Sequence, residues 1–349
     1  MIELLQAVFD GLALGARYSL IVLGFVIIYR ATGIINFAQG GFVLVGAYLA
    51  YNAINTWDLN FWIAVPVSML LTAGLGVLMQ RSILQLTFRE SAAAVSLLLG
   101  WAVAQYNGQT GWAAFGIGVL SAVVVYVVVR LVEQRAGASK FNELPIFGAV
   151  MVTIGLLFVM EEIVPAVWGD NALNLGEPFG RDSVDIGGVL LAHTKLWGIG
   201  FAVVGLGLFF LIDRFTKIGI AMRAVHVDQE AAVAQGIPTG LVFAVAWGLA
   251  GAVAALAGVI EASGSGQLDP AVGLIAFLAF PAMILGGFDS PGGAVVGGLI
   301  IGVVQNLFLT YQPEWLGAGF DQVGIFLVMI VVLMVRPYGL FGTPEVRRV

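Results

Sequence analysis

The stretch GLALGARYSLIVLGFVIIYRATGIINFAQGGFVLVGAYLA, residues 11–50, contains two long apolar runs that are separated near Arg30. Runs of about 18 apolar residues or more are long enough to span a bilayer as helices. The rest of the chain has the same character, since 60% of its 349 residues are hydrophobic, only 10% are charged, and the mean hydropathy is +1.00. Soluble domains usually carry about 25% charged residues. The composition therefore indicates a polytopic membrane protein.

Apolar segments recur along the whole chain. They predict a single all-α transmembrane bundle, residues 1–349, with about 9–11 membrane segments. Two segments, 92–106 and 272–286, are short, and three interpretations stay open for each: a full span, a re-entrant segment, or a half-helix packed against protein. The start of the chain lacks the basic region of a cleavable signal peptide, so none is expected. The predicted segments are 8–29, 35–54, 61–80, 92–106, 111–130, 145–168, 193–212, 241–262, 272–286, 292–311 and 321–336.

Lysine and arginine predict the orientation, because these residues concentrate in cytoplasmic loops. If the N-terminus is outside and every segment crosses, only Arg181 and Lys195 fall in outer loops, and Arg17 lies within the first segment. We therefore predict an outer N-terminus, a cytoplasmic C-terminus and an outer loop at 169–192. All other basic residues then face the cytoplasm: Arg30, Arg81, Arg89, Arg130, Arg135, Lys140, Arg214, Lys217, Arg223, Arg336, Arg347 and Arg348.

The longest predicted cytoplasmic loop, residues 213–240, reads DRFTKIGIAMRAVHVDQEAAVAQGIPTG. Asp228 is suited to cap a short helix, and Gly236 is suited to end it. A solvated connector is the simplest interpretation of such a loop, but connectors in compact bundles are usually shorter. Its own helical pattern and its small residues favour a docking element for a partner protein.

Five stretches of the chain follow one another in a recognisable order. They are residues 11–50, GIAMRAVHVDQEAAVAQGI (219–237), AWGLAGAVAALAGVI (246–260), LGGFDSPGGAVVGGLIIGVVQN (285–306) and RPYGLFG (336–342). Together they resemble the branched-chain amino acid permease family, the LivH/LivM type, of ATP-binding-cassette importers. The Glu-Ala-Ala and following Gly of the second stretch resemble the coupling loop of such permeases. Residues about 90–140 depart from the family pattern and are interpreted as an inserted helical hairpin.

The resemblance implies the membrane-spanning permease subunit of an ATP-driven importer for branched-chain amino acids or related small solutes. It also implies a multi-pass protein of the bacterial plasma (inner) membrane. The implied partners are cytoplasmic ATP-binding subunits, a second permease subunit and an extracytoplasmic solute-binding protein. The chain has no GxxxxGK[ST] motif, so ATP would be bound by the partners and no cofactor by this chain. Polar anchors and small packing residues of the coupling loop would meet the ATPase: Arg223, Asp228, Glu230, Ala231, Ala232 and Gly236.

Two glycine-rich segments carry the candidate residues of a translocation path. Asn36 and Gln39 lie near the start of the first, and Gln305 and Asn306 near the end of the second. A broken helix at such a place would offer backbone and amide groups to a substrate. The alternative for the first pair is glycine-mediated helix packing with Asn36 as a cap. The alternative for the second pair is a position at the level of the lipid headgroups.

Ionisable residues inside membrane segments are functional candidates. Asp10 and Arg17 share one face of the first segment, about two turns apart. Glu161, Glu162 and Glu261 lie near the outer ends of two others. For Glu261, snorkelling to the interface is favoured over attraction of a substrate ammonium group.

Enzymatic activity and nucleic-acid binding find little support. The only two histidines, His193 and His226, fall on opposite sides of the predicted topology and cannot form a metal pair. No serine, histidine and acid are placed for nucleophilic catalysis. The alternatives that stay open are a urea or short-amide importer of the same type and an ion-coupled secondary transporter.

Overall fold

The structure is a computed structural model. It describes residues 1–81, 119–120, 123–124, 127, 146–169, 171–176, 178–180 and 182–342. The predicted segment 92–106 and most of 111–130 lie outside the described residues. The interpretation of residues about 90–140 as an inserted hairpin therefore stays a prediction.

The helices follow the predicted apolar runs. The bounds are α1 Ile2–Thr32, α2 Gln39–Asn55, α3 Phe61–Met79, α4 Ile146–Trp168, α5 His193–Phe215, α6 Lys217–Val227, α7 Gln229–Ala234, α8 Thr239–Ser265, α9 Ile275–Gly286, α10 Pro291–Tyr311 and α11 Phe320–Val335. Two 3-10 turns, Pro270–Leu274 and Glu314–Leu316, precede α9 and α11.

Six of the described helices are long and apolar enough to cross a membrane: α1, α3, α4, α5, α8 and α10. The prediction of a polytopic helical bundle is thereby confirmed. The short segment 272–286 begins as a 3-10 turn and continues as the 12-residue α9, which contains Pro281. At about 1.5 Å per residue α9 is about 18 Å long, too short to cross a ~30 Å hydrocarbon core. By itself α9 is a half-helix, but with the 3-10 turn directly before it the apolar stretch is Pro270–Gly286, so a full crossing, which the predicted topology needs, stays a prediction.

A small β-hairpin is an addition to the all-helical prediction. Strands β1 Ser183–Ile186 and β2 Val189–Ala192 pair antiparallel, with Ser183 opposite Ala192. Gly187 and Gly188 make the turn, both with positive φ. We call the end of the bundle that carries this hairpin the hairpin end. The opposite end carries the 213–240 loop and is called the loop end.

The most extensive helix contact among the described residues joins α1 to α10. A Cβ on Gly11 would lie 2.6 Å from the Cα of Val303, and a Cβ on Gly15 would lie 2.7 Å from the Cα of Leu299. Glycines at a spacing of four on the partner, Gly298 and Gly302, meet α1 in the same way. Small residues at this spacing let two membrane helices touch backbone to backbone.

The centre of the bundle includes the long helices α1 and α8. Most of the apolar part of each is buried, whereas α3 and α5 expose most of theirs. Tyr18 and Trp247, one from each central helix, are among the largest fully buried side chains. The exposed apolar faces of the outer helices suit contact with lipid or with other membrane subunits.

We expect Gly15→Ala to destabilise the purified protein by about 1–3 kcal/mol, the usual range for overpacking a tight core. The added methyl group forces apart two backbones that touch at this point. Thermal unfolding in detergent, followed by size-exclusion chromatography, measures the change. Gly200→Ala in α5 is the control, because a Cβ there meets nothing within 4 Å. Alanine is the better helix former by about 1 kcal/mol, so the control should be neutral or stabilising. Equal midpoints for both variants would contradict the close α1–α10 contact.

Candidate functional site

The 213–240 loop folds into the two short helices α6 and α7. Thr216 Oγ1 accepts a hydrogen bond from the Gly219 amide at 3.2 Å and caps α6. Asp228 Oδ1 accepts one from the Ala231 amide at 2.9 Å and caps α7. Gly236, with φ +80°, turns the chain after α7. The capping role of Asp228 and the helix end at Gly236 agree with the sequence prediction.

The outer surface of α7 is exposed at most of its positions. Asp228, Glu230, Ala231 and Gly236 are exposed, and each is free to meet a partner surface. Ala232 differs, since only 4% of it is exposed and it packs against the bundle. The prediction that Ala232 lets a partner approach therefore does not fit its position, because the helix turns this side chain inward.

Arg223 does not project from the loop but folds back onto the end of α5. Its Nη1 lies 3.1 Å from Asp213 Oδ2 and also donates to the backbone carbonyl of Asp213. Arg30, at the end of α1, lies with Nη1 3.7 Å from the other oxygen of the same carboxylate. We call these three residues the Asp213 joint. The joint ties α6 to the loop ends of both α1 and α5.

A second contact holds α6 against α1. The ring Nδ1 of His226 lies 3.0 Å from the backbone carbonyl of Arg30. Gly219 packs directly on the backbone of Asp213, where no side chain would fit. These contacts make α6 an extension of the bundle rather than a free connector. A force applied to the loop therefore reaches α1 and α5 directly.

Asn36 and Gln39 are fully buried at the start of α2. Asn36 Oδ1 accepts a hydrogen bond from the Ala38 amide at 3.1 Å, and Gln39 Nε2 donates to the Ala250 carbonyl at 3.3 Å. Asn36 Nδ2 and Gln39 Oε1 have no hydrogen-bond partner among the described residues. Both side chains are thus held in place, but each keeps one polar atom unsatisfied inside the bundle.

The chain before α2 enters the bundle rather than lying on its surface. Phe37 stacks on Phe277 and Phe280 of α9, with ring centroids 6.4 Å and 5.9 Å apart. The Phe37 amide donates to Thr153 Oγ1 of α4 at 3.1 Å. The start of α2 therefore meets the half-helix α9 within the bundle, an arrangement of broken helices that transporters use around a substrate path.

Gln305 and Asn306 make their contacts elsewhere, with α1 and α11. Gln305 Oε1 accepts a hydrogen bond from the Tyr18 hydroxyl at 2.6 Å, and its Nε2 donates to Asp321 Oδ2 at 3.0 Å. Asn306 Nδ2 donates to the Ala7 carbonyl at 2.6 Å. The two candidate pairs therefore have separate partners, and a part in translocation stays a prediction for both.

Two ion pairs link the membrane helices at the hairpin end. Arg17 Nη1 pairs with Glu261 Oε2 of α8, and Lys195 Nζ of α5 lies 2.6 Å from Asp10 Oδ1. Asp10 and Arg17 thus each meet another helix instead of one another. The preferred interpretation of Glu261, a side chain that snorkels to the interface, stays a prediction, and the structure adds Arg17 as its ion-pair partner. Across the described residues, no group of three metal-ligating side chains is found.

The comparison with known families settles the class of the protein. The profile of the family described as "Branched-chain amino acid transport system / permease component" matches residues 7–335. The chain belongs to this permease family. Transporter permeases are not a class of enzymes, which agrees with the prediction from the sequence.

The permease is similar over almost its whole length to named relatives. It is 27% identical over 353 residues to the high-affinity branched-chain amino acid transport system permease protein LivH of Escherichia coli K12, covering 99% of this chain and 97% of that protein. It is 28% identical over 355 residues to BraD of Pseudomonas aeruginosa, covering 99% and 98%. A probable LivH of Methanocaldococcus jannaschii is 26% identical over 329 residues, covering 93% and 88%.

Sequence reasoning missed several polar residues of the permease that the structure places in its polar contacts. Asp213 falls at the boundary of a predicted segment and so looks like an ordinary loop residue. Asp321 is the first residue of a predicted segment, Tyr18 lies between Arg17 and Ser19, and Thr153 is a single polar residue in an apolar run. An ionisable residue at the edge of an apolar run was the available signal, but such a residue does not reveal its partner.

We expect Asp213→Asn to loosen α6 from the permease bundle while the membrane helices stay folded. The change leaves Arg30 and Arg223 without their shared counter-charge. Arg223 is over a third exposed, so the expected cost is about 1–3 kcal/mol rather than that of a fully buried pair. Hydrogen exchange of the amides in residues 217–235 should become about tenfold faster or more. Lys217→Gln, at an exposed cation of the same helix, is the control. Unchanged exchange in Asp213→Asn would contradict the joint.

Proposed function

We propose that this permease is the membrane-spanning subunit of an ATP-driven importer for branched-chain amino acids or related small solutes. The observation that carries the proposal is the 213–240 loop, which is exposed on its outer side and fixed to the bundle on its inner side. Membership of the permease family and the names of the relatives support the same substrate class. They favour branched-chain amino acids over urea or short amides.

The exposed surface of α7 suits docking of an ATP-binding subunit. Glu230 offers one charge there, and Ala231 and Gly236 carry no bulky side chain that would keep a partner at a distance. Val227 and Val233, exposed by 84% and 54%, offer apolar area beside them. Protein interfaces combine an apolar centre with a polar rim, and this surface offers both kinds of side chain.

The Asp213 joint gives such a contact a mechanical consequence. ATP-driven closure of the partner subunits would push α7, and α6 would transmit the push through Asp213 to α1 and α5. Those two helices reach the hairpin end, where the ion pairs of Asp10 and Arg17 lie. In this proposal, α1 and α5 move relative to the other helices when the permease switches between its outward-open and inward-open states.

The energy for transport comes in this proposal from partner chains, because the sequence contains no nucleotide-binding loop. Two ATP-binding subunits would dock at the loop end, and a solute-binding protein would deliver substrate at the hairpin end. A second permease subunit would cover apolar helix faces that this chain leaves exposed. Asn36 and Gln39 are assigned to the path, since each keeps an unsatisfied polar atom that a second conformation can present to substrate.

The proposed orientation puts the hairpin end outside and the loop end in the cytoplasm of a bacterial cell. It rests on the distribution of lysine and arginine. The chain has no cysteine, so single cysteines report without background. Cysteines at Ser183 in β1 and at Gln235 beside α7 should react with impermeant maleimide from opposite sides of the membrane. Labelling of both from the same side would exclude this topology.

Reconstitution tests the proposed activity. Vesicles that hold the permease, its ATP-binding subunits and the second permease subunit should take up leucine when ATP and the solute-binding protein are supplied. Glu230→Arg should abolish this uptake, because it replaces a negative charge with a positive one at the surface where the ATP-binding subunit docks. Loss of one member of a buried charged pair costs about 2–5 kcal/mol, which weakens docking more than tenfold. Co-purification of the ATP-binding subunits measures the docking itself.

Glu314→Arg is the matched control, because Glu314 is an exposed glutamate at the 3-10 turn before α11. A change at a solvated position away from the loop end costs about 0.5 kcal/mol or less, so co-purification of the ATP-binding subunits should stay near wild type. Normal docking in Glu230→Arg would show that the loop does not couple through this residue. Full uptake by the permease alone, driven by an ion gradient, would refute the importer.

A further inference from the structure

One face of α4 is exposed along most of the length of the helix. Its exposed side chains include Phe147, Met151, Phe158 and Glu162, and their spacing of four or seven residues places them on one side of the helix. Phe147 and Phe158 are 71% and 59% exposed. Gly155 lies in the same row, and a Cβ there would meet nothing within 4 Å. We call these five residues the α4 stripe.

The opposite face of α4 fixes the depth of Glu162 in the bundle. This face packs near the start of α2, where a Cβ on Gly41 would lie 3.0 Å from the Cβ of Met160. The rest of α2 extends about 20 Å further toward the hairpin end. Trp168, which follows Glu162 by about 9 Å along α4, donates from Nε1 to Asn52 Oδ1 at 2.9 Å. Because tryptophan is enriched where the hydrocarbon region ends, Glu162 lies inside that region.

A carboxylate exposed at this depth requires a partner. Lipid chains do not solvate a charge, so charged residues of membrane helices pair with other groups or face a protein interior or a water-filled cavity. The ion pairs among the described residues involve the acids Asp10, Asp213 and Glu261. Glu162 has no ion pair within this part of the chain, so its charge is left for a group outside the described bundle.

The chain itself is a poor source of a counter-charge at this depth. Residues 91–129, in the part of the sequence between α3 and α4, contain no lysine, arginine or histidine. Arg17 and Lys195, two cations of the hairpin end, are paired with Glu261 and Asp10. We therefore look for the counter-charge on another chain.

Only one kind of partner in the proposed importer reaches this depth. The ATP-binding subunits and the solute-binding protein meet the permease at its two ends, outside the hydrocarbon region. The second permease subunit spans the membrane and can lay a helix along α4. Gly155 leaves room for the close approach of such a helix, and Phe147 and Phe158 offer it apolar contact area.

We propose that the second permease subunit packs a membrane helix on the α4 stripe and places a lysine or arginine opposite Glu162. The inference rests on the proposed importer, which includes that subunit, and it names the face and the charge by which the two subunits meet. The apolar side chains of the stripe supply contact area. The single ion pair sets the register of the two helices, as one polar position does in an otherwise apolar helix seam.

Photochemical cross-linking tests what covers the stripe. The complex of the permease, the second permease subunit and the ATP-binding subunits is placed in nanodiscs, with benzoylphenylalanine in place of Phe158. We expect its main cross-link to be to the second permease subunit. The same probe at Val204, which is 58% exposed near the middle of α5, is the control. It should yield at least fivefold less of this product.

Other products would overturn the proposal. A main cross-link from Phe158 to residues 82–145 of the same chain would show that the permease covers its own stripe. A product with lipid alone would show that the stripe faces the bilayer. Equal yields from the probes at Phe158 and Val204 would show that the second subunit has no preference for α4.

Charge variants test the ion pair. Glu162→Lys sets two positive charges against each other, so recovery of the second permease subunit with the tagged permease should fall at least tenfold. Glu162→Gln removes the charge at nearly constant volume and should lower this recovery several-fold. In the isolated permease, the unfolding midpoint of Glu162→Gln should stay the same or rise, because the carboxylate lacks its partner there. Glu314→Lys, at an exposed acid of the 3-10 turn before α11, is the control and should recover the subunit normally.

A charge swap identifies the partner residue. Mass spectrometry of the Phe158 cross-link locates the facing helix of the second subunit and the lysine or arginine on it. Changing that cation to glutamate should restore the association of Glu162→Lys. Normal recovery in both Glu162 variants would refute the ion pair. A lower unfolding midpoint of isolated Glu162→Gln would also refute it, because the carboxylate would then act within this chain.

The outcomes separate this inference from the proposed function. ATP-dependent uptake of leucine by a complex that gives no cross-link from Phe158 to the second subunit would refute the α4 contact and leave the importer standing. A complex that forms through the α4 stripe but takes up no leucine would support the contact and count against the importer.

Discussion

The backbone contact between α1 and α10 is the constraint on which the rest of the permease depends. Lipid is as apolar as the helix surfaces, so burial of apolar side chains does not drive helices together inside a membrane. Close van der Waals contact does, and the glycines at positions 11, 15, 298 and 302 allow it. The Ser19 hydroxyl lies 3.0 Å from the Val295 carbonyl and adds a polar contact to the same seam. With α10 fixed on one side, α1 presents its remaining faces to α5, α8 and α9.

The polar side chains of α1 then decide how its two ends are connected. At the hairpin end Arg17 pairs with Glu261, and in between Tyr18 donates to Gln305. At the loop end Arg30 shares Asp213 with Arg223. Ion pairs within or near the hydrocarbon region are costly to break, since each leaves a poorly solvated charge. They therefore fix the neighbours of α1 at both ends, while the apolar faces of α3 and α5 stay available to lipid and partners.

Much of the fold was predictable because a long apolar run in the sequence indicates a membrane helix. Capping residues such as Asp228 were predictable as well, because they act within one helical turn. Side-chain partners were not predictable to the same degree. Arg223 looked like an anchor for another protein, but the break at Thr216 turns α6 back so that Asp213 comes within reach. Glu261 lies 244 positions from Arg17, and no local pattern reveals such a pair. The buried face of Ala232 likewise follows from how α7 packs on the bundle, not from its own sequence.

The continuity of α1 connects the loop end with the hairpin end. Proline interrupts α3 at Pro66, α4 at Pro165 and α9 at Pro281, and helices bend most readily at such positions. Within Ile2–Thr32 there is no proline, so Arg30 and Arg17 are joined by about 20 Å of uninterrupted helix. A displacement of Arg30 by the loop therefore moves Arg17, and with it the pairing of Glu261. Because coupling between two sites is reciprocal in free energy, a ligand that alters the Arg17 pair biases the position of the loop by the same amount.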